Sequence, residues 1–268
     1  MKLAFWLETP SQAACEVAAA ARFDIALFDM EHGVISNGEL DRLVPLCRGL
    51  GLETFVRVGT ADRLAIQHAL DTGADGVILP QIRDAAHARE ATAYAKYPPL
   101  GSRGMGFGRI QGYGAMADDF AERENRRTLC YAMIETPTAL AEAGAIAALD
   151  TVDGLFVGPG DLSLSRGRGP NRWREADLAD LRAIADAAAG AGKHFATTGG
   201  EKPVARALGE EVGAAFMSAC DDLSALVAGF GALKQKADEA GRAATVALPS
   251  CRGSIAPSSL EGEGRVGG

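Results

Sequence analysis

The sequence is poor in the residues that staple small folds. It has 5 cysteines (Cys15, Cys47, Cys130, Cys220 and Cys251), scattered without a CxxC pair or a Cys/His cluster. That speaks against a disulfide framework and against a structural zinc site. No apolar run approaches the roughly 20 residues that a membrane-spanning helix needs. The opening MKLAFWLETPSQAAC has too short an apolar stretch for a signal peptide, since Glu8 and Pro10 follow at once. Basic blocks are also missing: the formal net charge is -8 and the pI ≈ 5.1. Neither nucleic acid nor an anionic membrane is an expected partner of such a chain. The expected compartment is the cytoplasm.

What the chain does have is apolar mass, 47% of its 268 residues. That suffices for one large core, and single α/β barrels commonly reach about 250 residues. Short, nearly continuous apolar runs predict strands at Lys2–Leu7, Ile25–Asp29, Thr54–Val58, Gly76–Leu79, Leu129–Glu135, Gly154–Val157, His194–Thr197 and Ala215–Ser218. Such runs suit parallel strands buried on both faces. Between them lie longer Ala-rich helical patterns, the clearest at Ser11–Ala21, Gly38–Gly49, Asp62–Thr72, Ala85–Tyr94, Thr138–Ala148, Glu175–Ala191, Lys202–Leu208 and Asp222–Ala240. Eight such alternations predict an α/β fold, a single (β/α)8 TIM barrel over residues 1–244. Residues 245–268 have no periodicity and read as a disordered tail. The Gly- and Pro-rich stretch Tyr97–Ala115 reads as a long loop, and its length suggests a lid or substrate loop.

In parallel barrels the chemistry sits at the carboxyl ends of the strands. Polar residues gather there: Asp29, Glu31 and His32 after the second strand, Arg57 at the third, Pro80 and Gln81 after the fourth, Glu135 at the fifth, and Gly158-Pro159-Gly160-Asp161 after the sixth. Glu135 follows an apolar run, and a buried carboxylate needs a cation or several donors; capping the following helix is its plainer role. Asp161 could likewise be an N-cap. Together the two form a hard, oxygen-rich pair suited to Mg2+ or Mn2+, with coordination positions left for substrate and water. Arg57 could stabilise a keto or enolate oxygen, or serve in a salt bridge to Asp29 or Glu135. His32, three residues after Asp29, could be a general acid/base oriented by that carboxylate, or an ordinary loop histidine. The glycines of Gly158 and Gly160 would let backbone amides approach a ligand carboxylate. His68, His87 and His194 read as surface or structural residues.

Six segments in order, FDMEHG (Phe28–Gly33), VRVG (Val56–Gly59), LDTGADGVILPQI (Leu70–Ile82), YPPLGSRGMG (Tyr97–Gly106), MIETPTAL (Met133–Leu140) and DGLFVGPGDLSLSRG (Asp153–Gly167), resemble the HpcH/HpaI family of pyruvate-dependent aldolases. The resemblance spans roughly Lys2 to Ala240. It implies reversible cleavage of a 4-hydroxy-2-oxoacid to pyruvate and an aldehyde, with no organic cofactor. It implies a divalent metal (Mg2+, Mn2+ or Co2+) on Glu135 and Asp161, with pyruvate chelated there. Arg57 would hold the enolate oxygen, His32 with Asp29 would transfer protons, and amides around Gly158, Pro159 and Gly160 would hold the pyruvate carboxylate. Asp71 would lie near the aldehyde end, and Gln81 among the side chains that set aldehyde choice. The family habit is a homohexamer, or trimer units, with a C-terminal helix exchanged between subunits, here Asp222–Ala240. Met133 stands where the family often has glutamine, and ATTGG (Ala196–Gly200) is less apolar than the family's form. Two other readings stay open. One is a CoA-ester lyase of the citrate lyase β-subunit or malyl-CoA lyase type; the other is a non-catalytic metabolite-binding barrel.

Overall fold

The structure is a computed structural model that describes residues 1–247. It divides into two compact units, Met1–Ala225 and a second beginning at Leu226. In the first, eight strands form a closed, all-parallel barrel in chain order: β1 (Lys2–Leu7), β2 (Ile25–Asp29), β3 (Glu53–Arg57), β4 (Gly76–Leu79), β5 (Leu129–Ile134), β6 (Gly154–Val157), β7 (His194–Thr198) and β8 (Phe216–Asp221). The helices are α1 (Gln12–Ala20), α2 (Asn37–Gly49), α3 (Arg63–Asp71), α4 (Ala85–Ala93), α5 (Phe120–Arg127), α6 (Pro137–Ala141), α7 (Ala143–Ala147), α8 (Pro159–Ser165), α9 (Glu175–Gly190), α10 (Pro203–Glu211) and α11 (Asp222–Ala247). The expected (β/α)8 architecture is the one found.

Because side chains alternate along a strand, each strand serves two cores. Phe5, Leu7, Ala26, Phe28, Val56, Val77, Leu79, Ala132 and Val157 belong to the outer cluster shared with the helices. Trp6, Leu27, Phe55, Ile78, Tyr131, Met133, Phe156 and Phe216 form the second cluster. Phe55 and Phe216, on the non-adjacent strands β3 and β8, have ring centroids 5.2 Å apart. Contact between such strands is possible only across the barrel's interior, so this second cluster fills it. Two glycines make room for it: a Cβ on Gly76 would meet Phe55 at 2.4 Å, and one on Gly154 would meet Tyr131 at 2.3 Å.

Side-chain caps set the start of several helices. Ser36 caps α2 in a reciprocal box with Glu39. Asp62 accepts from the amides of Leu64 and Ala65 at the head of α3. The helix expected at Thr138–Ala148 is instead two, α6 and α7. Glu142 stands at the break (φ -101, ψ 10), and its carboxylate accepts from the Ala85 amide at 2.8 Å. α5 was not legible, since among its residues only Phe120 and Glu124 are buried.

The Tyr97–Ala115 loop differs from expectation in its place. It follows a helix and leads through α5 to β5, so it joins the barrel at the amino ends of the strands. It packs on the outside of α3: Ser102 O accepts from Arg63, the Gly104 amide donates to Gln67, and Arg103 pairs with Asp71 at 2.7 Å. No described contact joins this loop to Arg57, Glu135 or Asp161, so it is not a lid over its own barrel's rim. The tail expected at 245–268 lies, from 248 onward, outside the described residues. Among the described residues no helix is long and apolar enough to cross a membrane.

Candidate active site

The inward positions of the strands lead directly to the rim residues. One step of two beyond Leu27 comes Asp29, beyond Phe55 comes Arg57, beyond Met133 comes Glu135, and beyond Phe156 comes Gly158. All are buried inside the carboxyl mouth except Gly158's open neighbours on α8. Asp29 is 0% exposed, Arg57 6% and Glu135 1%.

Asp29 and Arg57 are paired strand neighbours in β2 and β3. Arg57 Nε donates to Asp29 Oδ1 at 3.0 Å and Nη2 to Oδ2 at 2.6 Å. Its Nη1 lies 2.9 Å from Glu31 Oε2. The guanidinium also lies over the Trp6 ring, 4.8 Å from the centroid. Trp6 Nε1 donates to Asp29 Oδ2 at 3.1 Å, and the amides of Glu31 and His32 donate to Oδ1 at 3.0 and 3.2 Å. Burial pushes the Asp29 carboxyl upward, but Arg57, Trp6 and the His32 amide together outweigh it and hold the group below the usual carboxylate range.

This network corrects one expectation. Asp29 does not orient the His32 imidazole, because its two oxygens are occupied by Arg57, Trp6 and backbone amides. His32 is exposed, and among the described residues its ring makes no hydrogen bond. The salt bridge foreseen for Arg57 is present, to Asp29 and also to Glu31. Trp6 was missed because an apolar strand residue carries no polar signal. Glu31 stands out in the sequence only as a neighbour of Asp29 and His32.

Glu135 stands one residue past β5. Its Oε2 accepts from the Gln81 amide at 2.9 Å, while Oε1 is buried without a hydrogen-bond partner. Burial, with the charges of Glu31 and Asp161 acting the same way, pushes its pKa up to about 7. The helix cap at α6 is supplied by Thr136, whose hydroxyl accepts from Ala139, so capping does not explain Glu135. Gln81 takes a left-handed conformation (φ 55) to present its amide, a strained state that non-glycine residues adopt at a cost. Asp161 lies exposed in the first turn of α8. Pro159 opens that helix as its first residue. A Cβ on Gly158 would meet Glu135 Oε1 at 2.5 Å, whereas one on Gly160 would meet nothing within 4 Å. The turn is therefore closed on Glu135 at Gly158 and open to solvent at Gly160.

Asp71 is not brought to this rim. It is the last residue of α3 and pairs with Arg103 on the outside of the barrel. Of the other histidines, His68 is exposed, as expected of a helix-surface residue, His87 is half-buried, and His194 opens β7. His68 Nδ1 lies 3.0 Å from Asn37 Nδ2, His87 Nδ1 accepts from the Arg83 amide, and His194 Nδ1 lies 3.2 Å from the Tyr131 hydroxyl. Among the described residues no three His, Cys, Asp or Glu side chains converge as a metal cage. The orphaned Glu135 oxygen, buried beside further carboxylates, nonetheless has the chemistry of a ligand awaiting a hard cation.

The family model for HpcH/HpaI aldolase/citrate lyase matches residues 2–198. The chain is 38% identical over 168 residues to a 2-dehydro-3,6-dideoxy-6-sulfogluconate aldolase of Pseudomonas putida, a match that covers 60% of this chain and 63% of that protein. It is 33% identical over 232 residues to a hydroxypyruvate/pyruvate aldolase of Rhizorhabdus wittichii, covering 84% of this chain and 90% of the relative. A solved HpcH/HpaI aldolase/citrate lyase family protein from Burkholderia cenocepacia J2315 superposes with a TM-score of 0.80 at 26% identity, over 88% of this chain and 94% of that one. By this match and by the ordered rim residues, the chain belongs to the HpcH/HpaI aldolase/citrate lyase family.

Proposed function

We propose that the chain is a divalent-metal-dependent aldolase that reversibly cleaves a 4-hydroxy-2-oxoacid to pyruvate and an aldehyde. The observation that carries this reading is the buried, unpartnered Oε1 of Glu135, within electrostatic reach of Glu31 and Asp161 and on the same rim as the clamped Arg57. The aldolase names of the relatives agree with it. Glu135 and Asp161 would hold the ion, and Mg2+, Mn2+ and Co2+ all suit two carboxylates. When bound, such an ion supplies a Lewis acid that polarises a keto oxygen.

The rest falls to the chain's own side chains. Asp29, Glu31 and Trp6 hold the Arg57 guanidinium in place: two of the five N–H groups that an arginine carries donate to Asp29, and Nη1 makes an ion pair with Glu31. The remaining N–H groups are free to receive the negative charge that develops on the substrate's keto oxygen as the C3–C4 bond breaks. His32, exposed and unconstrained, takes the proton of the C4 hydroxyl and later returns one to the pyruvate methyl carbon. The open backbone around Gly160 takes the substrate carboxylate. The same reading makes α11 a contact between copies of the chain, as hexamer or trimer units, and puts the enzyme in the cytoplasm. Exposed Leu226, Val227, Phe230 and Leu233 on α11 support the first of these.

The test is deuterium exchange into the methyl group of pyruvate, followed by NMR in D2O. Chelator-stripped protein should be inactive, and Mg2+ or low Mn2+ should restore exchange. Exchange that survives stripping, or that persists in Arg57→Ala, would sink the assignment.

A further inference from the structure

The carboxyl rim carries a second feature that the chemistry above does not use. Between the β3–α3 and β4–α4 connections lies a cavity of about 330 Å³ walled by Gly59, Thr60, Asp62, Gln81, Arg83 and His87. That is the size of a small-molecule site. Gln81 joins it to the reaction centre: the residue lines the cavity, and its amide holds Glu135 Oε2 at 2.9 Å. Most polar groups on the wall are committed. Asp62 accepts from two α3 amides and from the Thr60 hydroxyl. The His87 ring accepts from the Arg83 amide at 3.2 Å. The Arg83 guanidinium is different: the residue is exposed, and its side chain has no hydrogen bond or ion pair among the described residues.

We propose that this cavity receives the distal end of the aldehyde half of the substrate, and that Arg83 selects an anionic terminus there, a carboxylate or a sulfonate. The proposal rests on the aldolase reading and names its substrate class. A substrate whose oxoacid end sits at Glu135 and Asp161 must send the rest of its chain away from them, and Gln81 borders both places. A guanidinium without a protein partner pairs with planar or tetrahedral oxyanions through several N–H groups at once.

The full chain, loaded with Mg2+, would be assayed for addition of pyruvate to succinic semialdehyde, 3-sulfopropanal and butanal. The expected result is a kcat/KM higher by about tenfold or more for an anionic aldehyde over butanal, the effect of one charge-assisted hydrogen bond. Preference for only one of the two anions identifies which group the site takes. Arg83→Ala should erase the preference, while Arg89→Ala, which removes a nearby exposed cation on α4, should keep it. Equal rates for all three aldehydes, or a preference that survives Arg83→Ala, would overturn the proposal. Saturation-transfer NMR with unreactive 4-hydroxybutyrate should show contact in the wild type and its loss in Arg83→Ala; unchanged contact, or none, also counts against it. Pyruvate methyl exchange in the same samples separates the two readings. Exchange without an anion preference sinks the cavity assignment alone. Absent exchange sinks the aldolase reading, and the 4-hydroxybutyrate contact then decides the cavity independently.

Discussion

Asp29 binds Arg57 at two points, Oδ1 to Nε at 3.0 Å and Oδ2 to Nη2 at 2.6 Å, across the β2–β3 pairing. Both side chains are nearly sealed, at 1% and 7% exposure. Removing one partner of such a pair leaves the other as an uncompensated buried charge. Asp29→Ala should therefore destabilise the barrel by about 3 kcal/mol or more, read as a lower urea midpoint. It should also abolish pyruvate exchange. Trp6→Phe keeps the ring beneath the guanidinium but loses the indole N–H bond to Asp29, so its cost should be about 1 kcal/mol. Equal losses for the two variants would contradict this division of labour.

Glu135 makes the metal-free protein pH-sensitive. Its pKa rises from 4.5 to about 7 on folding, so the folded state binds more protons than the unfolded state between those values. Stability from this group is present at low pH and falls as pH rises through that window, by on the order of 3 kcal/mol. Glu135→Gln should flatten that slope in chelator-treated protein, so that the variant outlasts the wild type in urea at pH 8 but not at pH 4. Added Mg2+ should stabilise the wild type alone. Parallel pH profiles for the two proteins would count against the buried, repelled carboxylate.

The strand-six turn separates two glycines that look equivalent in GPG. A methyl at Gly158 would press on Glu135 Oε1 and on Met133 Cε, at 2.5 and 2.7 Å. Gly158→Ala should cost about 1–3 kcal/mol by overpacking and weaken metal binding, measured by titration calorimetry. Gly160→Ala meets open space and should stay within about 0.5 kcal/mol of the wild type.

Asp71 and Arg103 tie the Tyr97–Ala115 loop to α3. The Arg103 side chain is fully buried, stacked on Tyr97 at 4.7 Å, and two of its nitrogens lack any other partner. Asp71→Ala leaves that cation unpaired. The loop should then be cleaved faster in limited proteolysis, with cuts mapped by mass spectrometry between residues 97 and 115. An unchanged cleavage pattern would mean that the ion pair does not hold the loop.

Much of the site was legible because a strand's side chains alternate. Leu27 and Asp29, Phe55 and Arg57, and Met133 and Glu135 share the inward face of their strands, so apolar periodicity runs straight into the polar rim. Boundaries were less so. β3 closes at Arg57 rather than Val58, and β5 stops at Ile134, leaving Glu135 just beyond it. Length and glycine content mark Tyr97–Ala115 as an unusual loop, but they cannot say at which end of a barrel a loop lies. Its order after a helix and before a strand does say so.

The sequence by itself determined the strand count, the parallel alternation and the identity of the rim residues, because these depend on local periodicity and chain order. Only the tertiary structure decided how those residues divide their work. Asp29 serves Arg57 and not His32, Trp6 joins the clamp from β1, Asp71 turns outward to Arg103, and Glu135 keeps one oxygen unpaired. The physical reason is that a buried carboxylate takes whichever donors barrel closure brings within about 3 Å. Closure sets side by side strands that lie far apart in the chain.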